Sequence, residues 1–172
     1  MITFRNVVGY LETIAANHLE IYTFHSGMMD EVDINKLGAG DYPILYAEPG
    51  QAVIEQGVLT YNFTIYVMEM INDEIEETTG LPEVAGIKTK ERVGRTDSYS
   101  ETLQIVQDVL NEFKHSLVTA SWVDGEVVLN LPVTAEPFTA RFDNLLTGWS
   151  ANLSVQVNNT NNLCIAPILP NS

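Results

Sequence analysis

The chain has 172 residues, 45% of them apolar, and carries 8 Lys and Arg against 23 Asp and Glu, a net charge of −15. A length of this kind suits one domain that buries roughly 70% of its unfolded surface, and the apolar fraction supports a packed core without a metal or disulfide staple. The charge argues against gripping a nucleic-acid backbone or an anionic membrane, because phosphates need clustered Lys or Arg. Acidity of this degree keeps an abundant protein soluble, or makes a wall that repels DNA passing nearby. Cys164 is the single cysteine, so no intrachain disulfide is possible. The first twenty residues lack the basic and apolar regions of a signal peptide. No window approaches 18 uncharged apolar residues, which points to a protein made and kept in a cytoplasm.

Residues 3–19 place Phe4, Val7, Val8, Leu11, Ile14, Ala15 and Leu19 at three- and four-residue spacings, one apolar stripe of a helix with Thr3 as N-cap. Ile21 to His25 reads as a short strand ended by Ser26-Gly27, and Met28 to Asn35 as a possible second one, before a loop at Gly38–Asp41. Tyr42 to Glu48 is a strand with Pro43 at its start, where a missing N–H does least harm. Pro49-Gly50 signals a turn, and Gly57 a bend or bulge. Gly57 to Ile71 is the long central strand. Leu59, Tyr61, Phe63, Ile65 and Val67 fall on one face and Val58, Thr60, Asn62, Thr64, Tyr66 and Met68 on the other. The apolar face is expected to meet the helices, and the mixed face solvent or a neighbouring subunit.

Asn72 to Asp97 has no sustained periodicity, beginning acidic (Asp73, Glu74, Glu76, Glu77) and ending basic (Lys88, Lys90, Arg92, Arg95), with half of the chain's Lys and Arg in its last stretch. A loop of this length within one domain is uncommon and is either functional or disordered. Folded back as an arm, about 13 residues each way would reach roughly 40 Å at ~3.3 Å per residue. Ser98-Tyr99-Ser100-Glu101 has the form of a capping box, and behind it Leu103, Val106, Leu110, Phe113 and Leu117, broadened by Ile105 and Val109, give a second amphipathic helix over 98–117. Trp122 to Val127 carries the Asp-Gly step of a two-residue hairpin, and Val127 to Leu131 continues as strand. Pro132 and Pro137 flank a crossing segment, and Phe138 to Phe142 is a further strand. From Thr147-Gly148 the residues Trp149, Ala151, Leu153, Val155 and Val157 alternate with Ser150, Asn152, Ser154 and Gln156, a half-buried strand, and the Asn/Thr-rich run 158–162 and the Pro-containing tail 167–172 read as a surface exit.

No reactive constellation stands out. His18, His25 and His115 have no metal-ligand spacing between them. Asp33, Asn35 and Gly38 resemble the start of a calcium loop, but Leu37 and Ile44 occupy positions where that loop needs oxygen ligands. Cys164, between Leu163 and Ile165, reads as a buried structural thiol. The sequons at Asn62, Asn152 and Asn158 read as chance matches. No catalytic, cofactor or metal residue is assigned, and the expectation is a protein that is not an enzyme.

The order of these pieces is the most informative feature. An amphipathic helix is followed by strands carrying Tyr42-Pro43-Ile44-Leu45-Tyr46. The long strand Tyr61 to Asp73 and the Ser98 to Phe113 helix come next. Closing strands span Phe138 to Val157, with Cys164-Ile165-Ala166-Pro167 at the end. This resembles the tail-terminator or tail-completion proteins of tailed bacteriophages, and is similar to versions carried by Bacteroidetes-infecting and crAss-like phages. The resemblance implies an α+β fold: a mostly antiparallel sheet, two amphipathic helices packed on one face, one domain over 1–172, and the 72–97 arm. It also implies a homo-oligomer, a hexameric ring at the virion neck assembled in the host cytoplasm. Such a ring caps the tail tube and joins it to the head-side connector, with DNA passing through the lumen without specific binding and no cofactor or membrane involved. The 72–97 segment is longer than the shorter family members require. Two rival readings are a monomeric binding module or tail-assembly chaperone using the 72–97 loop, and a hydrolase built on a carboxylate pair.

Overall fold

The Thr3 hydroxyl accepts the Asn6 N–H while the Asn6 side chain accepts the Thr3 N–H, so a capping box starts helix α1, Phe4–Asn17, at the expected residue. The computed structural model describes residues 2–29, 39–71, 95–119, 127–141 and 145–158. The buried stripe of α1 is Val7, Leu11, Ile14 and Ala15. Leu19, expected in that stripe, is 95% exposed, because the helix has ended at Asn17 and the chain has already turned away.

Strand β1, Thr23–Ser26, runs parallel to β2, Ile44–Glu55, with Thr23 opposite Ile44 and Ser26 opposite Ala47. Of the expected second strand, Met28 and Met29 are not extended strand, and residues 30–38 lie outside the described residues. Ala39–Asp41 form a single 3-10 turn. Pro49-Gly50 is not a turn: β2 runs through it, with a register break between Pro49 and Ala52. The chain stays close against β3 there. A Cβ on Gly50 would lie 2.9 Å from the Asn62 carbonyl oxygen, and the Asn62 side chain donates to the Gln51 carbonyl at 2.8 Å. The reversal comes instead at Gln56-Gly57, with Gly57 at φ +83° and Glu55 opposite Val58. Gly57 is thus the second residue of a two-residue hairpin rather than a bulge.

Strand β3, Val58–Ile71, is the long central strand: Tyr61, Phe63, Ile65 and Val67 are buried and Thr60, Asn62, Thr64 and Tyr66 half-buried as expected, whereas Leu59 is only half-buried and Met68, expected on the mixed face, is buried. Helix α2, Arg95–Thr119, begins three residues before Ser98, so Ser98 and Glu101 form no capping box and residues 95–97 belong to the helix rather than to an arm. Residues 72–94 lie outside the described residues. On α2 the buried positions are Ser98, Thr102, Ile105, Val106, Val109 and Phe113, whereas Leu103, expected in the stripe, is on the exposed side. Strand β4, Val127–Leu129, and strand β5, Ala135–Arg141, share one edge of β6, Leu145–Asn158. Pro137 lies inside β5, opposite Trp149, rather than beside a crossing segment. Among the described residues β5 has no second neighbour strand, and on such an edge a missing N–H leaves no ladder bond broken. The hairpin signature before Val127, the exit after Asn158 and Cys164 fall outside the described residues.

The sheet order is β1-β2-β3-β6-β4, with β5 also on β6, and every pair except β1–β2 is antiparallel. β3 and β6 are paired from Val58 opposite Asn158 to Ile71 opposite Leu145. Both helices cover one face, where Val7 and Leu11 of α1 and Ile105, Val109 and Phe113 of α2 meet Leu45, Phe63, Ile65, Leu153 and Val155. The fold is therefore α+β, with helices segregated to one side of a mostly antiparallel sheet. On the opposite face a smaller cluster, Tyr42, Ile44, Tyr46, Met68 and Leu146, fills one end. No helix among the described residues is long and apolar enough to cross a membrane.

Candidate functional site

His18 ends α1, where its Nδ1 accepts the Glu20 N–H at 3.1 Å and its Nε2 lies 3.8 Å from Asp108 Oδ2 on α2. His115 lies one turn beyond Asn111 on the same helix, and the two histidines border an open groove of about 810 Å³ between α1 and α2. Glu20, Asp108 and Glu112 also line it, so its rim is acidic and its floor, at Ile14, is apolar. His25 is elsewhere: it stands on β1 opposite Tyr46, with ring centroids 6.4 Å apart and its Nε2 buried without a hydrogen-bond partner. The structure thus brings His18 and His115 to one groove and keeps His25 apart. Among the described residues no group of three or more His, Cys, Asp or Glu is placed to hold a metal ion. Asp33, Asn35, Gly38 and Cys164 lie outside the described residues. Asn62 and Asn152, the sequon residues on the strands, are engaged within the sheet, the first donating to Gln51 and the second accepting from Thr64 at 2.8 Å.

The face of the sheet away from the helices has two regions. At the β1 end, Tyr66 donates to Glu48 Oε2 at 3.0 Å, the Met29 N–H donates to Glu48 Oε1, and Tyr46 donates to the Met28 carbonyl at 2.8 Å. Burial raises the Tyr66 hydroxyl pKa, and its bond to Glu48 and the charge of that carboxylate raise it further. At the other end Thr60, Asn62 and Thr64 of β3 lie beside Gln156, Ser154 and Asn152 of β6, a strip of neutral hydrogen-bonding groups without a charged side chain. Ser154 in turn accepts from the Asn130 side chain at 3.2 Å.

Glu69 is the ionisable group that sequence reasoning missed. Burial pushes its pKa above the ordinary 4.5, the hydrogen bond from Ser98 Oγ at 3.0 Å lowers it, and the nearby Glu101 carboxylate raises it. The signal was available: counting by two from Val67 puts residue 69 on the apolar face of β3. Ser98 sits over Glu69 rather than at a helix start, which is what the expected capping box misread. Because the folded carboxyl holds its proton more tightly than the unfolded one, this contribution to stability is fully present below pH 4.5 and is lost as pH rises through the folded pKa. Glu69→Gln keeps an oxygen for Ser98 and removes the charge. Thermal melts followed by circular dichroism are expected to place its midpoint a few degrees above the parent at pH 7, with the gap closing toward pH 4. A gap that widens toward pH 4 would contradict the assignment.

No protein-family model matches this sequence, and no curated protein matches it at a significant level.

Proposed function

We propose that the chain is a structural subunit of the neck of a tailed phage, one of six copies in a ring that caps the tail tube and meets the head-side connector. The observation that carries this reading is the one-sided cover of the sheet. Both helices pack on one face, while the other presents the neutral strip of Thr60, Asn62, Thr64, Asn152, Ser154 and Gln156. A surface of this kind suits a lumen, because it offers DNA hydrogen-bonding groups and water but no cation to hold a phosphate. Excess acid elsewhere, with a net charge of −15, adds a repulsive field that keeps the passing duplex from adhering. The paired length of β3 and β6, 14 residues each, spans roughly 45 Å at ~3.3 Å per residue, enough for a deep collar. Light scattering on the purified chain, alone and with tail tubes, is expected to give six copies per ring. Labelled antibody viewed by electron microscopy is expected at the joint between head and tail, and labelling anywhere else on the particle, or none, overturns the reading.

A further inference from the structure

The sheet has two open edges that match each other. β1 covers β2 only as far as Ala47, and among the described residues no strand lies on the outer side of Ala52–Ile54 or on the outer side of β4. Ile54 is 75% exposed, Val53 39% and Val128 50%, so aliphatic side chains stand at both edges. One row of the sheet runs Val53, Thr60, Gln156, Val128, which puts the two valines at its opposite ends and on the same face.

The backbone groups align as well. Glu55 and Val58 flank a two-residue turn and form a hydrogen-bonded pair, so Val53 also bonds inward to Thr60, and Ala52 and Ile54 direct their N–H and C=O groups outward. On the other edge the Asn130 N–H donates to the Ser154 carbonyl at 2.9 Å, so Val128 bonds inward to Gln156, and Val127 and Leu129 direct theirs outward. β2 and β4 run in opposite directions, because each of the three ladders between them is antiparallel.

We propose that the β2 edge of one copy, Ala52–Ile54, pairs antiparallel with the β4 edge of a second copy, Val127–Leu129, joining neighbouring sheets into one. Ile54 then exchanges hydrogen bonds with Val127 and Ala52 with Leu129, and Val53 faces Val128 in the closer, non-bonded position between them. The contact is heterologous, one edge meeting a different edge, and repeated around an axis it removes both edges. None of Ala52, Val53, Ile54, Val127, Val128 and Leu129 is ionisable, so the paired segments themselves carry no charge, and Glu55 and Glu126, next to them in sequence, leave a repulsion at one end of the seam. Association is expected to strengthen with ionic strength, as salt screens the remaining repulsion between copies. That the second partner is a copy rests on the ring proposed above.

The test is a cysteine pair, Val53→Cys with Val128→Cys, in a chain whose own thiol is removed by Cys164→Ser. On mild oxidation the double variant is expected to give a ladder of disulfide-linked chains ending at the closed ring, and either single variant none. Linking by Val53→Cys alone would mean that β2 pairs with itself and overturns the proposal. Absence of linking in the double variant, while light scattering gives a ring, overturns the seam and leaves the ring standing. Linked chains that run on as open filaments support the seam and tell against the ring. Monomers without links overturn both. Ile54→Lys in the otherwise native chain is the second arm: it is expected to abolish association while leaving the circular dichroism spectrum of the folded chain unchanged, and association at the parent level overturns the seam.

Discussion

Phe113→Ala is expected to lower the unfolding free energy by about 3–5 kcal/mol, the range for removing a fully buried aromatic ring. Phe113 is completely excluded from solvent and meets Phe63 edge-on, with centroids 6.5 Å apart and ring planes at 89°. It is the point at which the late part of α2 is held to the central strand. The void left by the ring would be walled on one side by β3, which is fixed by ladders on both edges and cannot move in to fill it. Urea titrations monitored by circular dichroism measure the loss directly. Leu103→Ala on the same helix is the comparison, because Leu103 is on the exposed side and its truncation is expected to cost less than about 1 kcal/mol. Equal costs for the two variants would mean that α2 turns a different face toward the sheet.

Gly148→Ala comes second and acts through the backbone. A Cβ at residue 148 would collide with the carbonyl oxygen of Val67, a group held by the sheet and unable to swing away as a flexible side chain would. Opening the β3–β6 ladder to admit one methyl is expected to cost about 3 kcal/mol, which for a chain of this size lowers the thermal midpoint by roughly 6–12 °C. Gly9→Ala is the matched control. Nothing lies within 4 Å of a Cβ at residue 9, and an alanine inside α1 is expected to add about 0.5–1 kcal/mol of stability. A Gly148→Ala protein as stable as its parent would show that the two strands are farther apart at that row.

Much of this fold could be read from the residues because its two main periodicities are strong. Period two in Leu59 to Val67 and in Trp149 to Val157 marked two half-buried strands, and Val7, Leu11 and Ile14 marked the inner stripe of α1. The misreadings have local chemistry in common. Pro49-Gly50 and Pro137 carry turn-forming residue types, yet one lies at a bulge and the other on a sheet edge, where sheet context overrides propensity. Ser98-x-x-Glu101 matched a helix start, but the same hydroxyl was needed by Glu69 on a strand 29 residues earlier, and no local pattern reveals such a partner. The groove between α1 and α2 was illegible for the same reason: His18 and Asp108 meet only once both helices lie on the sheet. Nor does the sequence mark the open β2 edge, since which strands neighbour Ala52–Ile54 is decided by chain topology.

The pairing of Val58 with Asn158 and of Ile71 with Leu145 also governs how the polypeptide comes together in time. β2 and β3 can zip as a local hairpin as soon as both have left the ribosome, but the strand that completes the other side of β3 is made much later. Contacts so distant along the chain are slow to form, because a long intervening loop must close before they yield any stability. Until residue 158 has emerged, Phe63, Ile65 and Val67 sit on a ribbon with one unfinished edge. Refolding from urea is accordingly expected to be paced by the long-range closure that brings β6 to β3.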